Sequence, residues 1–248
     1  MKLKILTYNI HKGFDWGNKN YFLKEIKELI QSTGANLVLL QEVVGQNSDY
    51  AKKGLIDSQL EFLAHEVWPH YSYAQNAVYD HGHHGNMILS QFPIQSWTNI
   101  NLSTNPLEKR GLLICKINLD ADNFFYVACT HLNLLPQGRL HQIEIIKNHI
   151  QSLNLPEKTP LVLAGDFNDW NKKASHILKK ELHLTENFYS QHKAYAKTFP
   201  ATYPVLSLDR IYTKNCKILK SYVVAKSSKN HLSDHLPLYS EVLLNEDS

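Results

Sequence analysis

Short apolar runs rich in β-branched residues recur along this 248-residue chain, and stretches of helical periodicity separate them. Runs of this length are too short to be anything but strands or buried turns of helix, so their spacing limits the fold sharply. Lys4–Ile10 and Leu37–Val43 read as buried strands, with a helix over Tyr21–Thr33 between them. That helix puts Phe22, Ile26, Leu29 and Ile30 on one face and has Gly34 in position to end it. Leu55–Val67 has the pattern of a second amphipathic helix. Ser72–Val78, Asn86–Ser90, Leu112–Ile117 and Phe124–Thr130 follow as strands joined by turn-like segments, which suggests antiparallel pairing. A helix over Arg139–Leu153 carries Ile143, Ile146, Ile150 and Leu153 on one stripe. Pro160–Ala164, Leu208–Thr213, Ile218–Val224 and Pro237–Leu243 complete the strands. Helices scattered among strands of both pairing types predict an α/β (α+β) fold of two packed mixed sheets with helices outside.

No repeat, low-complexity tract or linker divides the sequence, so a single domain over residues 1–248 is expected, its core at about residues 3–243. The three cysteines, Cys115, Cys129 and Cys216, form no CxxC pair, which argues against a disulfide framework or a cysteine zinc site. No apolar signal core follows Met1 and no run of 18 apolar residues exists, so the expected setting is cytoplasmic and reducing. The net charge of +3 is compatible with a polyanionic substrate without requiring one.

The polar residues at the strand ends carry the chemical signal. Asn9 closes the first strand, Glu42 the second, His131 a middle one and Asp166 the next, with Asn168 two residues on. Asp209 opens a late strand, and Asp234-His235 precede another. Each has an ordinary structural reading: Asn9 and Asp234 as turn caps, Glu42 as a solvated end, His131 as a satisfied core histidine, Gly-Asp-Phe-Asn-Asp as a turn. Seven such coincidences in order weaken those readings together, because active sites of α/β folds lie at strand ends.

Thr7-Tyr8-Asn9, Gln41-Glu42-Val43, Thr130-His131-Leu132, Gly165-Asp166-Phe167-Asn168, Leu208-Asp209-Arg210-Ile211 and Ser233-Asp234-His235 resemble, in order, the motif set of the endonuclease/exonuclease/phosphatase superfamily. The stretches Asn9–Phe14, Gly82–Asn86 and Glu108–Leu112 resemble a bacterial branch of mostly unassigned substrate. The resemblance implies a DNase I-like four-layered sandwich and a divalent-metal-dependent phosphoesterase. It implies Glu42, Asp234 and Asn9 at the metal, which hard oxygen donors suit to Mg²⁺ or Mn²⁺. Asp166 would orient and deprotonate the attacking water and Asn168 would bind the scissile phosphate. His235 would meet a phosphate oxygen, with Asp209 fixing its tautomer and charge. His131 and Arg110 match positions that contact phosphate in DNase-I-like members. Abasic-site endonucleases carry an Asp two residues after the motif asparagine, where this chain has His11, so that subgroup is disfavoured.

The run His81-Gly82-His83-His84-Gly85 fits no zinc-ligand spacing and reads better as a loop beside the cleft, with His84 and Asn86 as substrate contacts. Nucleic acid is the favoured substrate over a lipid headgroup, given Lys12, Lys109, Arg110, Arg139 and Arg210 near the motifs, with Phe167 and Trp170 available for stacking. A phospholipid or sphingolipid phosphodiesterase, an inositol phosphate phosphatase, a zinc hydrolase and a catalytically dead binding module are the competing readings.

Overall fold

The computed structural model describes residues 1–56, 58–106, 108–120, 123–224 and 232–244. Twelve strands fall in two sheets among these residues. In chain order they are β1 (Lys2–Asn9), β2 (Leu37–Asn47), β3 (His70–Tyr79), β4 (Gly82–Ser90), β5 (Ile94–Asn101) and β6 (Gly111–Asn118). Then come β7 (Phe124–His131), β8 (Leu161–Asp166), β9 (Thr185–Glu186), β10 (Asp209–Lys214), β11 (Cys216–Val223) and β12 (Leu238–Leu244). The first sheet has the order β11-β12-β1-β2-β4-β3 and the second β5-β6-β7-β8-β10-β9. Both are mixed: β1–β2 and β7–β8 are parallel pairs, and their other neighbours run antiparallel.

Three apolar layers follow from the two-residue period of the strands. Leu3, Ile5, Leu37 and Leu39 of the first sheet meet Phe125, Val127, Val162, Ala164 and Ile211 of the second in the central layer. Leu6, Tyr8, Val38 and Leu40 point the other way, onto Leu23, Ile26 and Ile30 of helix α1 (Leu23–Ser32). Across the molecule, Ala128, Leu161 and Leu163 pack on Ile143, Ile146 and Ile150 of the long helix Pro136–Ser152 and on Leu178 and Leu182 of the helix Lys173–Leu182. The result is the expected four-layered sandwich: helices, sheet, sheet, helices.

Some local readings change. The helix expected over Leu55–Val67 is confined to Leu60–Ala64: Glu66 takes a left-handed φ of +75° beyond its end, and just before its start the fully buried Gln59 turns its amide inward. Its Oε1 accepts from Val44 N at 2.9 Å and its Nε2 donates to Lys12 O at 2.8 Å. Beyond His81, which lies in the turn after β3, the histidine run is not a loop: Gly82–Ser90 is strand, and His84 and Gly85 pair with Val44 and Val43. The edge strand β5 escapes the sequence pattern because nearly all its residues are exposed, so no buried stripe betrays it.

Gly165 shows how tightly strands β7 and β8 approach just before the last residue of β8. Its φ is +146°, and a Cβ there would lie 1.9 Å from Thr130 O. Gly165→Ala is therefore expected to cost at least about 2 kcal/mol of stability, a fall in Tm on the order of 5 °C. Thermal unfolding checks this, and an unchanged Tm would refute the close-approach argument.

Candidate active site

Following the alternation to the strand ends explains why the polar residues meet. On β1 the residues facing the central layer are Leu3, Ile5, Thr7 and then Asn9. On β7 they are Phe125, Val127, Cys129 and then His131. On β8 they are Val162, Ala164 and then Asp166, and on β10 Asp209 precedes Ile211. The same faces that bury the apolar core thus deliver Asn9, His131, Asp166 and Asp209 to one mouth of the inter-sheet layer. Register completes the arrangement, since Asp166 pairs with His131 on one side and Asp209 on the other.

Asp166 is the hub. Asn9 Nδ2 donates to its Oδ2 at 3.2 Å from the opposite sheet, and Asn168 N donates to its Oδ1 at 3.0 Å. The Nε2 atoms of His131 and His235 stand 3.4 and 3.6 Å from Oδ2. His235 Nδ1 bonds Asp209 Oδ2 at 2.8 Å, which directs Nε2 toward Asp166. Asn168 holds the left-handed φ of 47° and donates Nδ2 to Leu132 O at 2.9 Å. Ser233 Oγ donates to Asn9 O at 2.7 Å and lies 3.2 Å from Asp234 Oδ1, fastening the Ser-Asp-His turn to the end of β1.

Burial and charge give these groups different proton affinities. Burial raises the Asp166 carboxyl above the usual carboxylate range, His235 opposes that shift and Asp209 adds to it. Burial opposes a charge on His235, yet Asp209 and then Asp166 outweigh it and push the imidazole up to about 10. His131, buried without such a dedicated carboxylate, is driven well below its ordinary value by burial first and by the Arg110 cation second. One imidazole is therefore charged near neutral pH and the other neutral, beside one carboxylate of raised basicity.

Glu42 reaches the site by a different device. The pairing of β2 with β4 slips between Leu40 and Val43, and Glu42 takes a φ of +56°. This bulge leaves both Leu40 and Val43 on the outer layer and frees Glu42 from the alternation between them. Burial works against ionisation of Glu42, but Lys12 and then His131 hold it well below the usual carboxylate range. Lys12 Nζ lies 2.9 Å from Glu42 Oε2, and Lys12 is itself left-handed at φ +57°. Left-handed backbone costs each residue about 1–2 kcal/mol, more than a partly exposed ion pair contributes, at about 0–1 kcal/mol. The pair alone thus does not offset the strain.

The outlying candidates separate. Arg110 is half-buried, 3.5 Å from Glu108 Oε1, with Nε lacking a hydrogen-bond partner. His84 also has a buried, unpartnered Nδ1, and burial followed by Lys12 lowers its imidazole to about 4. Asn86 is fully buried and donates Nδ2 to the backbone carbonyls of Gly111 (3.0 Å) and Cys129 (3.4 Å), tying the sheets together. Arg139 and Arg210, counted from sequence among the cations near the motifs that favour nucleic acid, are buried. Arg139 donates to the Asn133 and Leu134 carbonyls and Arg210 to those of Asp209 and Asp169. Phe167 is core, whereas Trp170 is 54% exposed. Sequence reasoning passes over Gln59 and gives Ser233, though part of the Ser-Asp-His motif, no role of its own, because both act through long-range contacts.

Among the described residues, Asp166, Asp209 and His235 each offer a ligand atom within 4.8 Å of the others, a geometry consistent with a divalent metal site. Asp209 Oδ1 is buried with no hydrogen-bond partner; Asn9 at the end of β1, Asp234 in the turn before β12 and Glu42 add oxygen atoms, Glu42 from a bulge inside β2 rather than from the strand end expected from sequence. Such oxygen-rich surroundings fit a hard cation. The histidine run forms no such three-ligand cluster among those residues.

Two packed mixed sheets flanked by helices, with this carboxylate–imidazole cluster at one mouth, form a DNase I-like α+β architecture. Residues 6–235 match the Endonuclease/Exonuclease/phosphatase family, and the chain belongs to that family. It is 39% identical over 245 residues to YbhP of Escherichia coli K12, covering 97% of this chain and 96% of that one. An endonuclease/exonuclease/phosphatase from Beutenbergia cavernae superposes with a TM-score of 0.79 at 20% identity, covering 98% of this chain and 72% of its own. The mannosyl-6-phosphatase Bt3783 of Bacteroides thetaiotaomicron gives 0.70 at 18%, covering 97% and 98%. At those identities the two structures speak to the fold.

The raised His235 value sets a pH dependence. Its folded value near 10 exceeds the ordinary 6.5, so its stabilising contribution is complete below about pH 6.5 and is lost as pH rises through about 10. The stability advantage of the wild type over His235→Gln should accordingly shrink across that window. Asp209→Asn should lower the imidazole titration followed by NMR. A His235 that titrates at its ordinary value in the wild type would show that the pair does not hold the charge.

Proposed function

We propose that the chain is a divalent-metal-dependent phosphodiester hydrolase acting on nucleic acid by in-line attack of water. The observation that carries this reading is Asp166, a carboxylate of raised basicity set between His131, His235 and Asn9 from both sheets. In this reading Asp166 orients the water and takes its proton. The charged His235 meets the phosphate oxygen on which negative charge grows, and Asp209 keeps that imidazole charged and aimed. Asn168 and the neutral His131 donate to the other phosphate oxygens, and Arg110 supplies a fixed positive charge. Glu42, Asn9 and Asp234 would hold Mg²⁺ or Mn²⁺, which neutralises phosphate charge when bound.

Nucleic acid is supported by Trp170, two residues beyond Asn168, whose exposed ring offers a face for base stacking, and by Lys109 and Arg110. Burial of Arg139 and Arg210 removes two cations from that case. A lipid-headgroup phosphodiester is the second reading, favoured by the exposed Leu134 and Leu135 in the loop that follows β7. The cytoplasm is the proposed location, with one domain spanning the chain.

Hydrolysis of a phosphodiester is expected to vanish with a chelator and return with Mg²⁺ or Mn²⁺. A panel of single- and double-stranded DNA, RNA, phospholipids, inositol phosphates and sugar phosphates separates the substrate readings. Activity that persists in metal-free protein would refute the metal assignment.

Asp166→Asn should lower kcat by a factor on the order of 10² or more while KM changes little. Steady-state kinetics on the substrate that the panel identifies checks this. A near-normal kcat would remove Asp166 from the reaction.

A further inference from the structure

The ion pair between Lys12 and Glu42 is built in a way that a structural pair would not need. Both residues occupy left-handed backbone, at φ +57° and +56°, and Lys12 is flanked by His11 at +45° and Gly13 at +88°. Three consecutive residues thus hold a conformation that side chains with a Cβ disfavour. The turn is pinned from several sides. Gln59 Nε2 donates to Lys12 O at 2.8 Å, Gly13 N to Ile10 O at 2.8 Å and Phe22 N to Gly13 O at 2.7 Å. His11 N donates to Asn9 Oδ1 at 3.1 Å, so the same turn also touches a proposed metal donor. A Cβ on Gly13 would lie 2.8 Å from the Tyr21 ring, which fixes where the turn can sit. The outcome is an ammonium held 2.9 Å from Glu42 Oε2, its side chain about one-third exposed.

Two cations and two neutral imidazoles gather around this contact. Lys12 and Arg110 both act electrostatically on His84, and Arg110 acts on His131, while both histidines act on Glu42. Arg110 is set against Glu108 at 3.5 Å through Nη2, which leaves its Nε buried without a hydrogen-bond partner. His84 Nδ1 is buried without one as well. A cation-rich cradle with unpartnered nitrogen atoms suits an anion with several oxygens.

We propose that Lys12 is an exchangeable counter-ion: it neutralises Glu42 in the metal-free protein and turns to the substrate phosphate when a divalent ion takes the carboxylate. The proposal rests on the reading of Glu42 as a metal ligand. The strained turn then serves to keep the ammonium within reach of both partners, and Lys12 competes with the metal before substrate arrives. Arg110 and His84 complete the phosphate cradle on the same side.

Mn²⁺ affinity, measured by titration calorimetry or by the electron paramagnetic resonance of free Mn²⁺, tests the first half without any substrate. Lys12→Gln should bind Mn²⁺ about tenfold more tightly than wild type, because a charge that opposes the ion is gone. Lys12→Arg, which keeps the charge, should stay close to wild type. Inorganic phosphate binding to the Mn²⁺-loaded proteins tests the second half, and Lys12→Gln should weaken it. Circular dichroism confirms that each variant is folded. Unchanged Mn²⁺ affinity in a folded Lys12→Gln protein, or unchanged phosphate affinity once loaded, would overturn the proposal. Equal Mn²⁺ binding by wild type and Glu42→Gln would instead overturn the metal assignment of Glu42, which keeps the two failures distinct.

Discussion

A carboxylate buried between two sheets must be paired or protonated, and Asp166 meets that requirement with groups from both sheets. Asn9 comes from the end of β1 in the first sheet and His131 from the end of β7 in the second. His235 comes from the turn before β12, held by Asp209 at the start of β10. The Asn9 and His235 contacts cross from one sheet to the other, so neither survives if the sheets shift against one another. The cluster therefore depends on the central apolar layer, where Leu3, Ile5 and Leu39 lock against Val127, Val162 and Ile211. In return it closes the mouth of that layer with polar groups that pair with one another except at Asp209 Oδ1.

The distribution of charge follows from which group has a dedicated partner. His235 and His131 are both buried and both approach Asp166 Oδ2 through Nε2. Of the two, His235 holds a second carboxylate on its other nitrogen, and that bond separates a charged imidazole from a neutral one. Two histidines in one cluster thus acquire different chemistry, His235 chiefly from its 2.8 Å contact with Asp209 and His131 from burial beside Arg110. The same logic applies to the carboxylates, since Glu42 is held ionised by Lys12 while burial raises Asp166.

Much of this is legible in the sequence, and the exceptions have physical causes. The strands and the helix over Arg139–Leu153 announce themselves because burial on one or both faces writes a period into the residues. Asn9, His131, Asp166 and Asp209 stand out because each ends or begins such a pattern, and the structure carries all four to one mouth. The edge strand Ile94–Asn101 is invisible, since an exposed strand has no apolar face to display. The helix around Leu60 is shorter than its pattern, ending before the left-handed Glu66 and starting after Gln59, whose amide meets Val44 and Lys12 in contacts set by tertiary structure. Arg139 and Arg210 count from sequence as cations near the motifs, but proximity to a motif carries no information on which face a side chain takes. Arg210 alternates with the inward Asp209 and Ile211, and parity along β10 sends it to the outer layer, where it lies over the Tyr195 ring.

That parity argument also explains why Glu42 needs strain and Asp166 does not. Asp166 falls on the inner face by simple alternation from Val162 and Ala164, so an unbroken strand delivers it. Counting from Leu37 and Leu39, Gln41 takes the inner position, and its Nε2 meets Thr7 Oγ1 at 3.2 Å within the central layer. Glu42 would then face the helices, where a carboxylate would be buried among apolar side chains. A bulge with one left-handed residue moves it out of that position at a cost confined to a single backbone unit. The metal-side carboxylate and the water-side carboxylate of the proposed reaction are thus placed by different means, one by the regular strand and one by a local break in it. The break lies opposite the equally strained turn of Lys12, so that both sides of the Glu42 contact are fixed by backbone conformation rather than by side-chain choice alone.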